Sequence, residues 1–317
     1  MSDQSQPAVS TELPFQLGTT SFDIGNAYSL AQVSSLAYKR FEDNDQDKNK
    51  DRSFFLKQVK AWGFDEYYFF DSRSIDEDGQ GLILADSEKI IVAFRGTETS
   101  QIQDVITDLK LSQITRLGGK VHRGFFAAFY SLWNSELRVW EGEQELIKKP
   151  GMKFTLEKLL GLKKRPIFVT GHSLGGAMAI LGATACYQDL DVDQPMVSLY
   201  TYGQPRVGDE AFNQTLTQSV KAIFRVVNNN DVVARIPVDI VRRMSLLDYK
   251  HAGKLIYLDT AEKVHLEDLG WWEKSKDRLW GRLEDLGKLG TDGLNDHNLD
   301  DYISILKDAY DNPQNIV

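Results

Sequence analysis

Cysteine is nearly missing: the single Cys186 excludes an internal disulfide, and its apolar, helix-like setting reads as core. No stretch approaches the ~20 apolar residues that a membrane-spanning helix requires. The opening Met-Ser-Asp-Gln-Ser-Gln-Pro has no basic region followed by an apolar run. A cytoplasmic location is therefore expected, or a secreted one if a leader has been removed. No His-x-x-x-His or Cys-x-x-Cys spacing occurs, so no metal site is expected. There is no internal repeat and no Pro/Gly/Ser-rich linker. Basic residues are in deficit, giving a formal net charge of -9. That balance argues against nucleic acid as a partner and against a polybasic membrane anchor.

What is present suits a soluble globule: 317 residues, 42% hydrophobic and 26% charged, enough for a sizeable core. Residues 1–20 are mostly polar and read as a flexible N-terminal tail, leaving 21–317 as a single domain. Helices are expected at 26–40, 126–136, 154–162 and 176–185, where apolar residues recur at helical spacing or small residues run together. Strand-like segments fall at 67–70, 81–85, 89–94, 167–170, 197–202, 222–227 and 254–258, the second and third joined as a hairpin by Asp86-Ser87-Glu88. Strands alternating with helices predict an α/β fold whose mixed, mostly parallel central sheet carries helices on both faces. The acidic run 42–51 resembles a calcium loop but lacks the glycine at its sixth position and the acid at its twelfth. It reads as a solvated loop.

The chemistry centres on Gly171-His172-Ser173-Leu174-Gly175, between an apolar strand and a small-residue helix. Strand, sharp turn and helix are the context of a nucleophile elbow, with Ser173 as nucleophile and the Leu174 N–H aimed at a developing oxyanion. A serine nucleophile needs a base, and the base an orienting acid. Of the five histidines, His251, His265 and His297 follow Ser173. His297, in a polar loop opening a terminal helix, is the first choice as base, with His251 the main competitor. His265 is read as starting a helix, and His172, adjacent to the serine, as pointing elsewhere. Asp231 lies just past the strand 222–227, at the sheet end that carries Ser173, and is the first choice as acid. Asp259 is the second. Arg95-Gly96-Thr97 follows an earlier strand, so the Thr97 N–H is the candidate second oxyanion donor.

Through these residues the chain resembles the class 3 lipases, which include fungal triacylglycerol lipases. The resemblance runs through Phe94-Arg95-Gly96-Thr97, Val121-His122-Arg123-Gly124-Phe125, the elbow, and Tyr202-Gly203-Gln204-Pro205-Arg206-Val207-Gly208. It continues through Arg225-Val226-Val227-Asn228-Asn229-Asn230-Asp231, Tyr249-Lys250-His251-Ala252-Gly253, and Asp296-His297 with Tyr302. It implies an α/β-hydrolase-like fold, no cofactor, a triad of Ser173, Asp231 and His297, and an oxyanion hole of Thr97 and Leu174. It also implies a short amphipathic lid after the oxyanion residue, here about 99–110, with Ile102, Val105, Ile106 and Leu109 at helical spacing. The lid stretch has no aromatic residue, unlike fungal members, and the fungal disulfides are impossible here. The expected substrate is a lipid or small ester, with acylglycerol cleavage first and phospholipase A1 or short-chain esterase activity as alternatives. A catalytically silent binding module is the rival from another class. Residues 263–289, with Trp271, Trp272 and Trp280, read as a helix packed on the sheet or as a surface making transient contact with a lipid interface.

Overall fold

The computed structural model describes residues 13–39, 46–72, 79–97, 112–190, 196–236, 248–266 and 295–317. In chain order its principal elements begin with α1 (Ile24–Leu36), α2 (Gln46–Ala61), β1 (Glu66–Asp71), β2 (Gln80–Ala85) and β3 (Ile90–Phe94). Next come β4 (Gln113–Arg116), β5 (Gly119–His122), α3 (Arg123–Asn134), β6 (Glu136–Glu141), β7 (Gln144–Pro150) and α4 (Met152–Leu162). The elbow region supplies β8 (Ile167–His172) and α5 (Leu174–Asp189), followed by β9 (Val197–Tyr202), α6 (Glu210–Ser219) and β10 (Ala222–Asn228). β11 (Lys254–Leu258), β12 (Val264–His265) and α7 (Leu299–Asp311) complete the set.

Ten strands form one mixed sheet in the order β12-β11-β10-β9-β8-β3-β2-β1-β6-β7, and β4 with β5 makes a separate ribbon. The strands β3, β8, β9, β10 and β11 run parallel, while the flanking pairs are antiparallel. The apolar runs explain this centre, because a strand buried on both faces has no polar side to show. In β3, Ile90, Val92 and Phe94 enter one core cluster while Ile91 and Ala93 enter the other. That is the period-2 alternation of a strand between two helical layers. One layer holds α3, α4, α5 and α6, with Phe129, Trp133, Leu156, Leu181 and Phe212 in its core. The other holds α1, α2 and α7, through Leu30, Val33, Phe55, Val59, Tyr302 and Leu306. Among the described residues no helix is long and apolar enough to cross a membrane.

Several expectations change. The segment read as a solvated loop at 42–51 enters α2 at Gln46; lysine and glutamine are good helix formers, and an acid such as Asp47 favours a first turn. His265 lies in β12 instead of starting a helix, and its Nε2 meets Asp259 Oδ2 at 2.8 Å. Part of the expected tail is tied down. Ser29 Oγ donates to the Pro14 carbonyl (2.7 Å), Asn26 Oδ1 accepts from Gln16 N–H (2.8 Å), and Phe15 packs on Phe168. The lid candidate, Ile102, Val105, Ile106 and Leu109, lies outside the described residues, as do Trp271, Trp272 and Trp280.

Candidate active site

The elbow is a consequence of close backbone approach. Ser173 sits between β8 and α5 at φ 59° and ψ -129°, a strained conformation for a residue with a side chain. Its N–H donates to the Tyr202 carbonyl at 2.9 Å, fixing the turn to the end of β9. A Cβ at Gly171 would collide with the Gly175 carbonyl, and one at Gly175 with the carbonyl of Phe94. Only hydrogen fits at these two places. Leu174 opens α5, where the first N–H groups have no intrahelical acceptor. The loop carrying Thr97 passes alongside: a Cβ added at Gly96 would lie 3.2 Å from that of Ser173.

Asp231 follows β10, and its carboxylate is fully used. Oδ1 accepts from the N–H groups of Val233 (2.8 Å) and Ala234 (3.4 Å), which begin a short 3-10 turn. Oδ2 accepts from His297 Nδ1 at 2.8 Å and from the Tyr302 hydroxyl at 2.5 Å. Tyr302 in turn accepts from Asn228 N–H at 3.0 Å. Burial first, then the Asp231 charge, drives the Tyr302 pKa well above the ordinary tyrosine value, so it remains a donor. His297 reaches this position because the loop before α7 is clamped to the end of β10 and the loop after it. The Asp296 carboxylate accepts from Asn229 Nδ2 (3.1 Å) and Asn230 N–H (3.0 Å), and its carbonyl accepts from Asn228 Nδ2 (3.0 Å).

Ser173, Asp231 and His297 are each 0% exposed. Ser173 Oγ and His297 Nε2 are buried without a hydrogen-bond partner among the described residues, and no hydrogen bond joins the two. Leaving such groups unpaired costs about 1–3 kcal/mol each, and here the two open valences fall on a hydroxyl and an imidazole lone pair. Because Asp231 takes the Nδ1 hydrogen, the neutral His297 ring has its lone pair on Nε2, the tautomer a general base requires. The arrangement can therefore activate a hydroxyl for attack on a carbonyl.

The competing candidates have other partners. His251 Nε2 meets the Ala234 carbonyl at 2.7 Å and Nδ1 meets Gln204 at 3.4 Å. Burial first, then Arg225 and Arg206, holds its pKa well below the usual histidine value. Asp259 serves His265. Sequence reasoning missed the support given by Gly203, where φ is 55° and a Cβ would collide with Asp231 Oδ2 and lie 2.8 Å from His297 Nδ1. It also missed the anchoring of Asp231 by Tyr302, for which the position five residues beyond the histidine, on the first turns of α7, was the available signal. Among the described residues no group of three or more His, Cys, Asp or Glu side chains could hold a metal.

Comparison with known proteins bears on this geometry. The family model "Lipase (class 3)" matches residues 91–241. The chain is 33% identical over 204 residues to a lipase of Rhizomucor miehei, covering 63% of this chain and 47% of that one. It is 30% identical over 213 residues to triacylglycerol lipase OBL1 of Arabidopsis thaliana, covering 57% and 40%. It is 27% identical over 344 residues to toxin TseL of Vibrio cholerae, covering 80% and 50%. The chain thus spans half or less of the length of these relatives. In three dimensions it resembles a Rhizomucor miehei lipase–propeptide complex at TM-score 0.54 and 23% identity, covering 75% of this chain and 69% of that one. A lipase from Rhizopus microsporus var. chinensis gives 0.53 at 25% identity, covering 74% and 73%. The matched segment, residues 91–241, spans the elbow and Asp231 and is similar to the class 3 lipases, and the fold agrees with that of the solved fungal lipases.

Proposed function

We propose that the chain is a serine carboxylester hydrolase, most simply a lipase cleaving acylglycerol esters through an acyl-enzyme. The observation carrying this reading is the pair of open valences, Ser173 Oγ and His297 Nε2, beside an imidazole whose Nδ1 is held by Asp231. His297 takes the Ser173 proton as the hydroxyl attacks the ester carbonyl, and Asp231 stabilises the imidazolium. The N–H groups of Thr97 and Leu174 stabilise the tetrahedral oxyanion, each worth roughly 2.7–4 kcal/mol. The alcohol leaves with the proton from His297, and water then releases the acid. No cofactor enters this cycle. The ten-stranded sheet supports reading 21–317 as one domain, in which early and late strands share a core. Cys186 is buried and free, which favours the cytoplasmic reading over a disulfide-dependent secreted one.

Hydrolysis of p-nitrophenyl esters from acetate to palmitate, with Ser173→Ala as control, tests the proposal. Ser173→Ala is expected to lose about 10⁶-fold in kcat. Preference for long acyl chains marks a lipase, and short-chain preference with ordinary saturation an esterase on the same scaffold. Absence of Ser173-dependent turnover on every chain length overturns the reading in favour of a silent binding module.

A further inference from the structure

The residue joined to the nucleophile is a second buried histidine that the cycle above does not use. His172 is 2% exposed. Its Nε2 lies 2.8 Å from the His297 carbonyl oxygen, and its Nδ1 lies 2.8 Å from the hydroxyl of Tyr38, in the turn after α1. The His172 and His297 rings are tilted by 30° with centroids 4.4 Å apart. Elementary chemistry assigns each proton. A carbonyl oxygen only accepts, so Nε2 of His172 carries a hydrogen. Burial, and then the neighbouring His297, depress the His172 pKa well below 6.5, so the ring is neutral and Nδ1 offers a lone pair. Tyr38 fills that lone pair with its own O–H. The result is a one-way chain of donors from Tyr38 through His172 to the backbone of His297.

We propose that His172, fixed in one tautomer by Tyr38, is a positioning residue that sets the height and plane of the His297 imidazole against Ser173. The proposal rests on reading Ser173, Asp231 and His297 as an acyl-transfer triad. Three hydrogen bonds from the end of β10 and the loop after it hold Asp296, one residue before His297. They fix that end of the loop to the stretch that carries Asp231. The bond from His172 adds the other coordinate. It ties the backbone of the base to the residue covalently attached to the nucleophile, so the two reacting groups share one frame. A 1 Å displacement of a reacting group costs about 10²-fold in rate, and this bond guards against such a displacement.

The test measures kcat per serine titrated with a fluorophosphonate, together with KM, for the wild type and for His172→Phe, His172→Gln and Tyr38→Phe. Phenylalanine keeps the ring packing and removes both polar partners. His172→Phe is expected to lose about 10- to 100-fold in kcat per titrated site with KM nearly unchanged. His172→Gln, whose amide N–H can take the place of Nε2–H, should recover to within about fivefold of the wild type. Tyr38→Phe frees His172 to change tautomer and should lose about three- to tenfold.

Unchanged kcat per titrated site in His172→Phe overturns the proposal, even when melting temperature and the number of titratable sites fall, since that is a purely structural role. If His172→Phe does not fold, Tyr38→Phe decides by the same criterion. If the wild type itself shows no Ser173-dependent turnover, the triad reading fails separately. Positioning is then read from the low-field proton resonance of His297 Nδ1–H. A shift or loss of that signal in Tyr38→Phe supports the proposal, and an unmoved signal overturns it.

Discussion

Ser173 and His297 lie at the same end of the sheet but are held there by different forces. The serine is fixed sterically. Its turn exists because Gly171 and Gly175 let β8, α5 and the end of β3 approach until no Cβ fits, and its backbone is strained as a result. The histidine is held by polar contacts reaching it from three parts of the chain: the stretch 228–231, with Asp231 on the ring and three asparagines on Asp296; His172 on its carbonyl; and Tyr302 behind Asp231. Steric fixation is all or none, because backbone atoms do not give. A hydrogen-bonded assembly can lose one member and keep its shape while losing accuracy. The proposed nucleophile and base should therefore fail differently when perturbed.

Asp231→Asn sharpens this contrast most. The amide can keep the volume but favours the wrong His297 tautomer, so kcat should fall by about 10⁴-fold while a crystal structure shows the elbow unchanged. A distorted turn at Ser173 in that variant would mean that the two halves are not separable. Gly203→Ala brings steric force into the polar half. Its Cβ collides with Asp231 Oδ2 and crowds His297 Nδ1, at a backbone φ of 55° that already disfavours a side chain. Activity should drop about 10²-fold, and loss of the low-field Nδ1–H resonance should accompany it. Activity within about twofold of wild type would show that the pair moves aside freely.

The smallest effect is a pH dependence of stability. An unfolded histidine binds its proton near pH 6.5, whereas His172 is held well below that value by burial and then by His297. Below pH 6.5 the unfolded chain therefore binds the extra proton, and stability falls with pH by at most about 1.4 kcal/mol per unit. This contribution is fully present above pH 6.5. The slope of melting temperature between pH 6.5 and 5 should be shallower in His172→Gln than in the wild type. An identical slope would assign the loss to other groups, of which His251 is the first candidate because its pKa is also depressed.

The same contrast explains what could be read from the sequence. The elbow was legible because steric fixation is local: glycine, serine and a small-residue helix stand in one stretch. Asp231 and His297 were reachable by their places after a strand and before a helix, and the structure pairs them at 2.8 Å. Tyr38, His172 and Gly203 were not legible as support. Their partners lie far away in sequence, 134 residues in the case of Tyr38 and His172, and nothing local marks an intended hydrogen bond.

In the fold, the apolar strands β3, β8 and β9 were plain, with both faces buried. The hairpin β6–β7 was missed because its strands read Glu-Leu-Arg-Val-Trp-Glu and Gln-Glu-Leu-Ile-Lys-Lys-Pro. Charge and proline of this kind protect a sheet edge from pairing with another chain, and they also hide the strand. Helix α6 was missed because Asn, Gln, Thr and Ser obscure its apolar residues, Phe212 and Leu216, which are buried.

Helices α1 and α7 come from opposite parts of the sequence, yet they pack against each other on one face of the sheet. The turn after α1 supplies Tyr38, and the residues flanking and opening α7 supply His297 and Tyr302. None of the three falls within 91–241, the segment matched by the family. A piece trimmed to that segment would keep Ser173 and Asp231, lose His297, and bare the apolar underside of the sheet. Expression boundaries, tags and cleavage sites placed near residue 24 or residue 311 therefore act close to the chemistry, although they look peripheral along the chain.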